Sequence, residues 1–234
     1  MNTTDLTNTY CLPIIKDTKA QVLATIESNL SRYHFFEVWL DYICDAEPSF
    51  AEELATRLPN RIIVIFRRQN FEAPRLPLDT CLSICKSLVG RQVLVDFDIV
   101  HQAREIDLLK TGGITLSTIL SYHNYSETPS DTELHRITTR ARELGAQITK
   151  VSTFCLTPSD ALRLLTLLLN LRDAGRRCVI LGMGEHGVAT RIFGHLWGNA
   201  LSFAPCSIDE CSAPGQIPLD NLNSIMQALT KPHR

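Results

Sequence analysis

Short apolar runs alternate with amphipathic stretches along the whole chain, and the alternation predicts its elements. Strands are expected over residues 11–15, 35–40, 61–66, 92–97, 118–122, 147–151, 178–183 and 200–203. Between them lie helical patterns with recognisable ends. Ser49 with Glu52, and Ser130 with Glu133, have the spacing of a capping box. Ser159 and Asp160 are expected to open a helix carrying Leu162, Leu165, Leu168 and Leu169 on its apolar face. Gly90, Gly112, Gly145 and Gly175 fall where a helix is expected to end in glycine.

Eight strand–helix units in about 220 residues argue for an α/β fold of the (β/α)8 TIM-barrel type. The competing fold, an open doubly wound sheet, usually carries a glycine-rich phosphate loop after its first strand. Here that position reads Pro13-Ile14-Ile15-Lys16-Asp17, without glycine. Gly182-Met183-Gly184 lacks the third glycine at the required spacing. No linker or internal repeat divides the sequence. A single barrel domain is therefore expected over residues 1–234, with 1–10 and 231–234 as flexible ends.

Composition narrows the partners. The chain has 234 residues, 44% of them hydrophobic, and a net charge of −2. Its Lys and Arg residues are scattered, so neither nucleic acid nor a membrane surface is expected to bind. The first ten residues are polar and read as no signal peptide. The longest apolar stretch, 162–171, is interrupted by Arg163, Thr166 and Asn170 and is too short to span a bilayer. Eight cysteines sit mostly in apolar or helical context, and Cys206 and Cys211 lack zinc-ligand spacing. They read as reduced thiols of a cytoplasmic protein, with no metal site.

Candidate chemistry gathers at the predicted strand ends, where barrel enzymes place their active sites. Lys150 lies inside the strand expected over 147–151. Lysine is almost never buried unless paired or functional, and burial lowers its pKa toward that of a nucleophile. His123 follows the preceding strand, roughly 5 Å away across one strand spacing. A histidine titrating near neutrality beside an imine-forming amine is a working acid–base pair. Other strand ends contribute Glu37 and Asp41, Arg67 and Arg68, Asp96 and Asp98, and Met183, with Arg191 in the helix that follows. Arginines from separate strands can hold a carboxylate in bidentate fashion, so a small oxygenated keto acid is the implied substrate.

At these residues the chain resembles type I 3-dehydroquinate dehydratase. The similarity covers about residues 11–229. Its pieces are Met183-Gly184-Glu185-His186-Gly187-Val188-Ala189-Thr190-Arg191 with Ser212-Ala213-Pro214-Gly215-Gln216-Ile217, then Ser121-Tyr122-His123-Asn124-Tyr125, then Ile148-Thr149-Lys150-Val151. The resemblance implies a (β/α)8 barrel, usually a homodimer, with no metal or organic cofactor, acting in the shikimate pathway. It implies that Lys150 forms an imine with the C3 ketone of 3-dehydroquinate. His123 then removes a C2 proton and returns it to the departing C1 hydroxyl, a syn elimination giving 3-dehydroshikimate. Arg191 and Gln216, with Ser212 on the same closing loop, would hold the substrate carboxylate. Glu37 and Arg67 would bind ring hydroxyls, and Met183 would pack against the ring.

Two positions depart from the family pattern. Its strand-two motif is Glu-x-Arg-x-Asp, whereas here Glu37-Val38-Trp39-Leu40-Asp41 places Trp39 at the arginine. After strand three the family carries a histidine-orienting glutamate and then glycines. Here Glu72 falls one position late and the glycines are missing. Glu72 is the candidate histidine-orienting residue, and without it His123 is expected to have a lower pKa. Trp39 leaves two alternatives open: a related lysine lyase or aldolase acting on another keto acid, or a non-catalytic relative.

Overall fold

In the computed structural model, which describes residues 9–230, eight parallel strands alternate with eight α-helices. The strands are β1 (Tyr10–Ile14), β2 (Phe35–Trp39), β3 (Ile62–Ile65), β4 (Leu94–Asp98), β5 (Ser117–Asn124), β6 (Ile148–Phe154), β7 (Cys178–Met183) and β8 (Ser202–Phe203). The helices are α1 (Lys19–Asn29), α2 (Pro48–Arg57), α3 (Leu78–Ser87), α4 (Ala103–Thr111), α5 (Asp131–Glu143), α6 (Pro158–Asp173), α7 (Val188–Trp197) and α8 (Leu219–Thr230). Each strand from β1 to β7 pairs with the next in sequence, except that β7 has no ladder to β8, and β8 returns to pair with β1. This is the (β/α)8 barrel expected from the sequence.

Between β7 and β8 the ring is closed without a regular ladder. Ala200 N–H donates to Cys178 O at 2.8 Å. The buried Asn199 carboxamide then acts as a short piece of strand: it accepts from Ile180 N–H at 2.8 Å and donates to Ile180 O at 3.2 Å. A side chain thus satisfies backbone groups that a two-residue strand leaves unpaired.

Alternate residues of each strand face the barrel interior. Cys11, Ile63, Ile119, Ile148, Val179 and Leu201 belong to one apolar cluster that floors it. Register then sets the layer above: Ser121 pairs with Lys150, and Ile65 with Asp96. The opposite strand faces pack on the helices, through Phe36, Val38, Val64, Val95 and Phe97 on one side and Val151 and Ile180 on the other. A polar constellation therefore rests on an apolar floor inside an apolar shell.

Several boundaries differ from expectation for local reasons. Pro48 and Pro158 each stand in the first turn of their helices, where a fixed φ costs nothing. The caps are consequently Glu47 and Thr157, upstream of the expected Ser49 and Ser159. Thr157 forms the capping box with Asp160, and Ser49 lies inside the helix. Ser130 does cap α5, accepting from Glu133 N–H at 3.3 Å. Leu162 is 65% exposed, and the inner face of α6 is built on Leu164, Leu165, Leu168 and Leu171. The left-handed residue after α4 is Gly113 (φ 68°), one position beyond Gly112. Tyr10, expected in a flexible end, is buried in β1, and its hydroxyl donates to Asn223 Oδ1 of α8 at 2.8 Å. The expected flexibility of 1–8 and 231–234 falls outside the described residues. Among the described residues no helix is long and apolar enough to cross a membrane.

Candidate active site

Lys150 is the third residue of β6 and only 6% exposed. Its Nζ donates to Asp96 Oδ2 at 2.9 Å and to Glu37 Oε1 at 3.2 Å, and lies 4.3 Å from the centre of the Phe203 ring. Burial is the largest single influence on this amine and pulls its pKa down, but Asp96 and Glu37 together outweigh it. The net shift is upward, opposite to the sequence expectation. The resting amine is an ammonium ion, and a neighbouring group must take its proton before it can attack a carbonyl.

Asp96 is the hub. Besides Lys150 it accepts from Arg67 Nη1 and Nη2 at 3.0 and 3.4 Å and from Ser121 Oγ at 2.6 Å. It is fully buried, and burial alone would raise its pKa; Arg67 and Lys150 reverse that and hold it well below the usual carboxylate range. The sequence placed Asp96 at a strand end without a role. Its signal was parity: Asp96 and Asp98 are alternate residues of β4 and share the inward face.

Asp98, not Glu72, orients His123. Its Oδ2 lies 2.9 Å from His123 Nδ1 and also accepts the His123 backbone N–H at 3.1 Å. Glu72 is exposed and pairs with Arg68 at 3.2 Å. The other ring nitrogen, Nε2, lies 3.2 Å from Arg67 Nη2. A guanidinium can only donate, so Nε2 accepts and Nδ1 carries the proton given to Asp98. Burial first, then the Arg67 charge, push the His123 pKa down to about 4, against a smaller pull upward from Asp98. The imidazole is therefore neutral at pH 7, rather than titrating near neutrality. Its lone pair belongs to Nε2.

Trp39 supplies an N–H where the resemblance expects an arginine. Nε1 donates to Glu37 Oε2 at 2.9 Å, leaving the other carboxylate oxygen to Lys150. Arg67 lies 6.0 Å over the indole, and Tyr42 meets it edge-on at 6.1 Å. The pocket is built around tryptophan.

Across the mouth, Arg191 of α7 is buried and faces loop 212–216. Its Nη2 donates to Pro214 O at 3.1 Å, while Nε has no partner. No carboxylate pairs with it among the described residues, and burial lowers its pKa to about 10. In the loop, Gln216 Oε1 accepts from Ser212 N–H at 2.7 Å, and Gln216 Nε2 donates to Ser212 Oγ at 2.9 Å. Gly215 has φ 79°, and a Cβ there would sit 2.8 Å from Gly184 O. Only glycine lets the loop settle that closely.

Glu37, Arg67, His123, Lys150, Arg191, Ser212 and Gln216 thus line one cavity, with Trp39, Tyr125, Ser152, Leu181 and Phe203. Met183 and Glu72 do not line it; Met183 is fully buried at the end of β7, and Leu181 is the residue of that strand at the wall. The cavity is about 30 Å³, room for one or two waters.

Comparison with known proteins gives the family. Residues 10–232 match the family model described as type I 3-dehydroquinase. The 3-dehydroquinate dehydratase of Methanococcus maripaludis is 27% identical over 223 residues, covering 94% of this chain and 99% of that protein. That of Albidiferax ferrireducens is 33% identical over 141 residues, 59% of this chain and 53% of that protein, so the match spans about half of that relative's length. The crystal structure of 3-dehydroquinate dehydratase from Geobacillus kaustophilus superposes with a TM-score of 0.78 at 24% identity, over 97% of this chain and 92% of that one. A Clostridium difficile type I enzyme structure, with covalently modified comenic acid, follows at 0.77 and 24%, over 97% and 93%. These two structures share the fold. By the extent of its family match, this chain belongs to the type I 3-dehydroquinase family of hydro-lyases.

Proposed function

We propose that the protein is a 3-dehydroquinate dehydratase of the shikimate pathway, working through a Lys150 imine without a metal or organic cofactor. The observation that carries this reading is a buried lysine and a neutral histidine sharing one barrel mouth with Arg191, a buried guanidinium lacking an anionic partner. An unpaired buried cation calls for an anion, and the substrate carboxylate satisfies it. Its unpartnered Nε and the Nη hydrogens not given to Pro214 suit a two-bond grip on that carboxylate. Ser212 and Gln216 close over the same group.

The resting contacts suggest an order of events. A cavity of about 30 Å³ cannot hold a six-membered ring, so lining side chains shift as substrate enters, and loop 212–216 is the segment that opens to admit it and then settles over it. Glu37, which accepts from Lys150 at rest, takes a proton from it, and the free amine attacks the C3 carbonyl carbon. Loss of water leaves a protonated imine, which accepts the electron pair when C2 is deprotonated. His123 Nε2 is the base, but Arg67 occupies it at rest. A ring hydroxyl that draws Arg67 away frees that lone pair. The proton then returns to the C1 hydroxyl, water leaves, and hydrolysis of the imine regenerates Lys150 and releases 3-dehydroshikimate. A cytoplasmic homodimer is the assembly in keeping with this family.

The test is direct. The protein incubated with 3-dehydroquinate should develop enone absorbance, and borohydride should trap a covalent adduct mapping to Lys150. Enone formation without a trapped adduct would remove the imine. An adduct without enone would point instead to another lysine lyase whose pocket is shaped by Trp39.

A further inference from the structure

The turn after β3 has an unusual backbone. Asn70 and Phe71 both adopt positive φ, 51° and 55°. Asparagine tolerates this region, but a bulky aromatic there is an outlier. Such a conformation persists only where surrounding contacts dictate it. Phe71 is held by a stack on His101 at 3.7 Å and by edge-on contacts to His123 (5.9 Å) and Tyr125 (5.4 Å). The turn is thereby pinned at the mouth of the barrel.

What the pinned turn presents is Gln69. Its Nε2 donates to Ser212 O at 3.1 Å and to Cys211 O at 3.4 Å. Its backbone N–H donates to Tyr42 Oη at 3.1 Å, and that hydroxyl donates to Gln69 Oε1 at 3.4 Å. Both ends of the carboxamide are therefore engaged, one by the loop after β8 and the other by the turn after β2. Tyr42 is itself fixed from two sides, by the Trp39 indole and by Arg68, 4.1 Å over its ring. A connected path runs from Trp39 through Tyr42 and Gln69 to the backbone of Ser212.

We infer that Gln69 is a positioning residue that fastens loop 212–216 in its closed place, with Trp39 and Tyr42 as its support. The loop carries Ser212 and Gln216, so the latch acts on substrate binding without touching substrate. It also gives Trp39 a task, since its indole edge contact is one of the two that hold Tyr42. The inference rests on the proposed reading that this loop opens and closes around the substrate.

Gln69→Glu separates a latch from a space-filling side chain. The two are nearly the same size, but a carboxylate has no N–H to give Cys211 and Ser212 and meets their carbonyls with like partial charge. Hydrogen exchange at the amides of residues 211–217 should quicken by about tenfold, the effect of losing one to two neutral hydrogen bonds. With 3-dehydroquinate, KM should rise by a similar factor while kcat changes less. Tyr42→Phe removes the hydroxyl that holds Gln69 and should move both readouts the same way by a smaller amount. Unchanged exchange at 211–217 in both variants, each folded as judged by its unfolding temperature, would overturn the inference. If 3-dehydroquinate proves not to be turned over, the exchange result still decides the latch, and only the proposed function fails.

Discussion

Asp98 makes His123 usable. It fixes the Nδ1–H tautomer and so directs the Nε2 lone pair into the cavity. It is also the main influence raising the His123 pKa against burial and Arg67. Asp98→Asn keeps the shape and removes the charge. The imidazole then loses the carboxylate that favours its Nδ1–H tautomer and steadies its protonated form, as in hydrolase triads where the orienting carboxylate is neutralised. We expect kcat to fall by about a hundredfold or more, the usual weight of one general acid–base group. The remaining activity should have its acid limb at lower pH, because the histidine binds a proton less readily without Asp98. An acid limb that stays in place would show that Asp98 does not act through His123. Trp39 belongs to the same scale: it fills the expected arginine's place with one N–H, given to Glu37, and no charge.

The loops show what an element can impose. Gly215 approaches Gly184 O so closely that any side chain must push the loop outward, and its φ of 79° adds backbone strain. Gly215→Ala should lower kcat/KM by tenfold or more through loss of loop closure. The same variant should melt within a few degrees of the parent, since loop 212–216 contributes little to the core. Wild-type kcat/KM in Gly215→Ala would mean that substrate binds with the loop open. The strands were legible because their apolar runs are short and evenly spaced, and Lys150, His123 and Arg191 stood out because charged types are rare at such positions. Helix starts were misplaced where proline in the first turn outweighed a nearby serine. Asp98 was given no role because the family resemblance pointed to a glutamate after strand three, and so to Glu72, whereas strand parity, which becomes decisive only once the barrel closes, favours Asp98. Gln69 and Phe71 gave no sequence signal. Their contacts come from turns far apart in the chain and exist only in the folded barrel.

Taken whole, the molecule buries two histidines in separate places, and its stability must follow their titration. His123 at the barrel mouth and His195, stacked on Tyr10 and bonded to Ser202, both have pKa values lowered to about 4, chiefly by burial. A base with a lowered folded pKa takes its proton first in the unfolded chain. Its contribution to stability is complete above the unfolded value of about 6.5. That contribution is lost as pH falls toward 4 and is constant below that. Asp96 and Asp98 are held low by their cationic neighbours, so their share persists until pH drops below about 4 and is lost beneath it. Stability should therefore decline in two stages on acidification, the histidines first. Each histidine contributes a slope of up to about 1.4 kcal/mol per pH unit across its window. Urea denaturation between pH 7 and pH 4.5 measures that slope. His195→Gln should be less stable than the parent at neutral pH, yet its stability should fall with pH less steeply, because one of the histidines with a lowered pKa is gone while His123 and His34 still titrate in that window. A slope equal to the parent's would mean that His195 is protonated without cost in the folded barrel, and that its burial against Tyr10 and Ser202 does not exclude the charge.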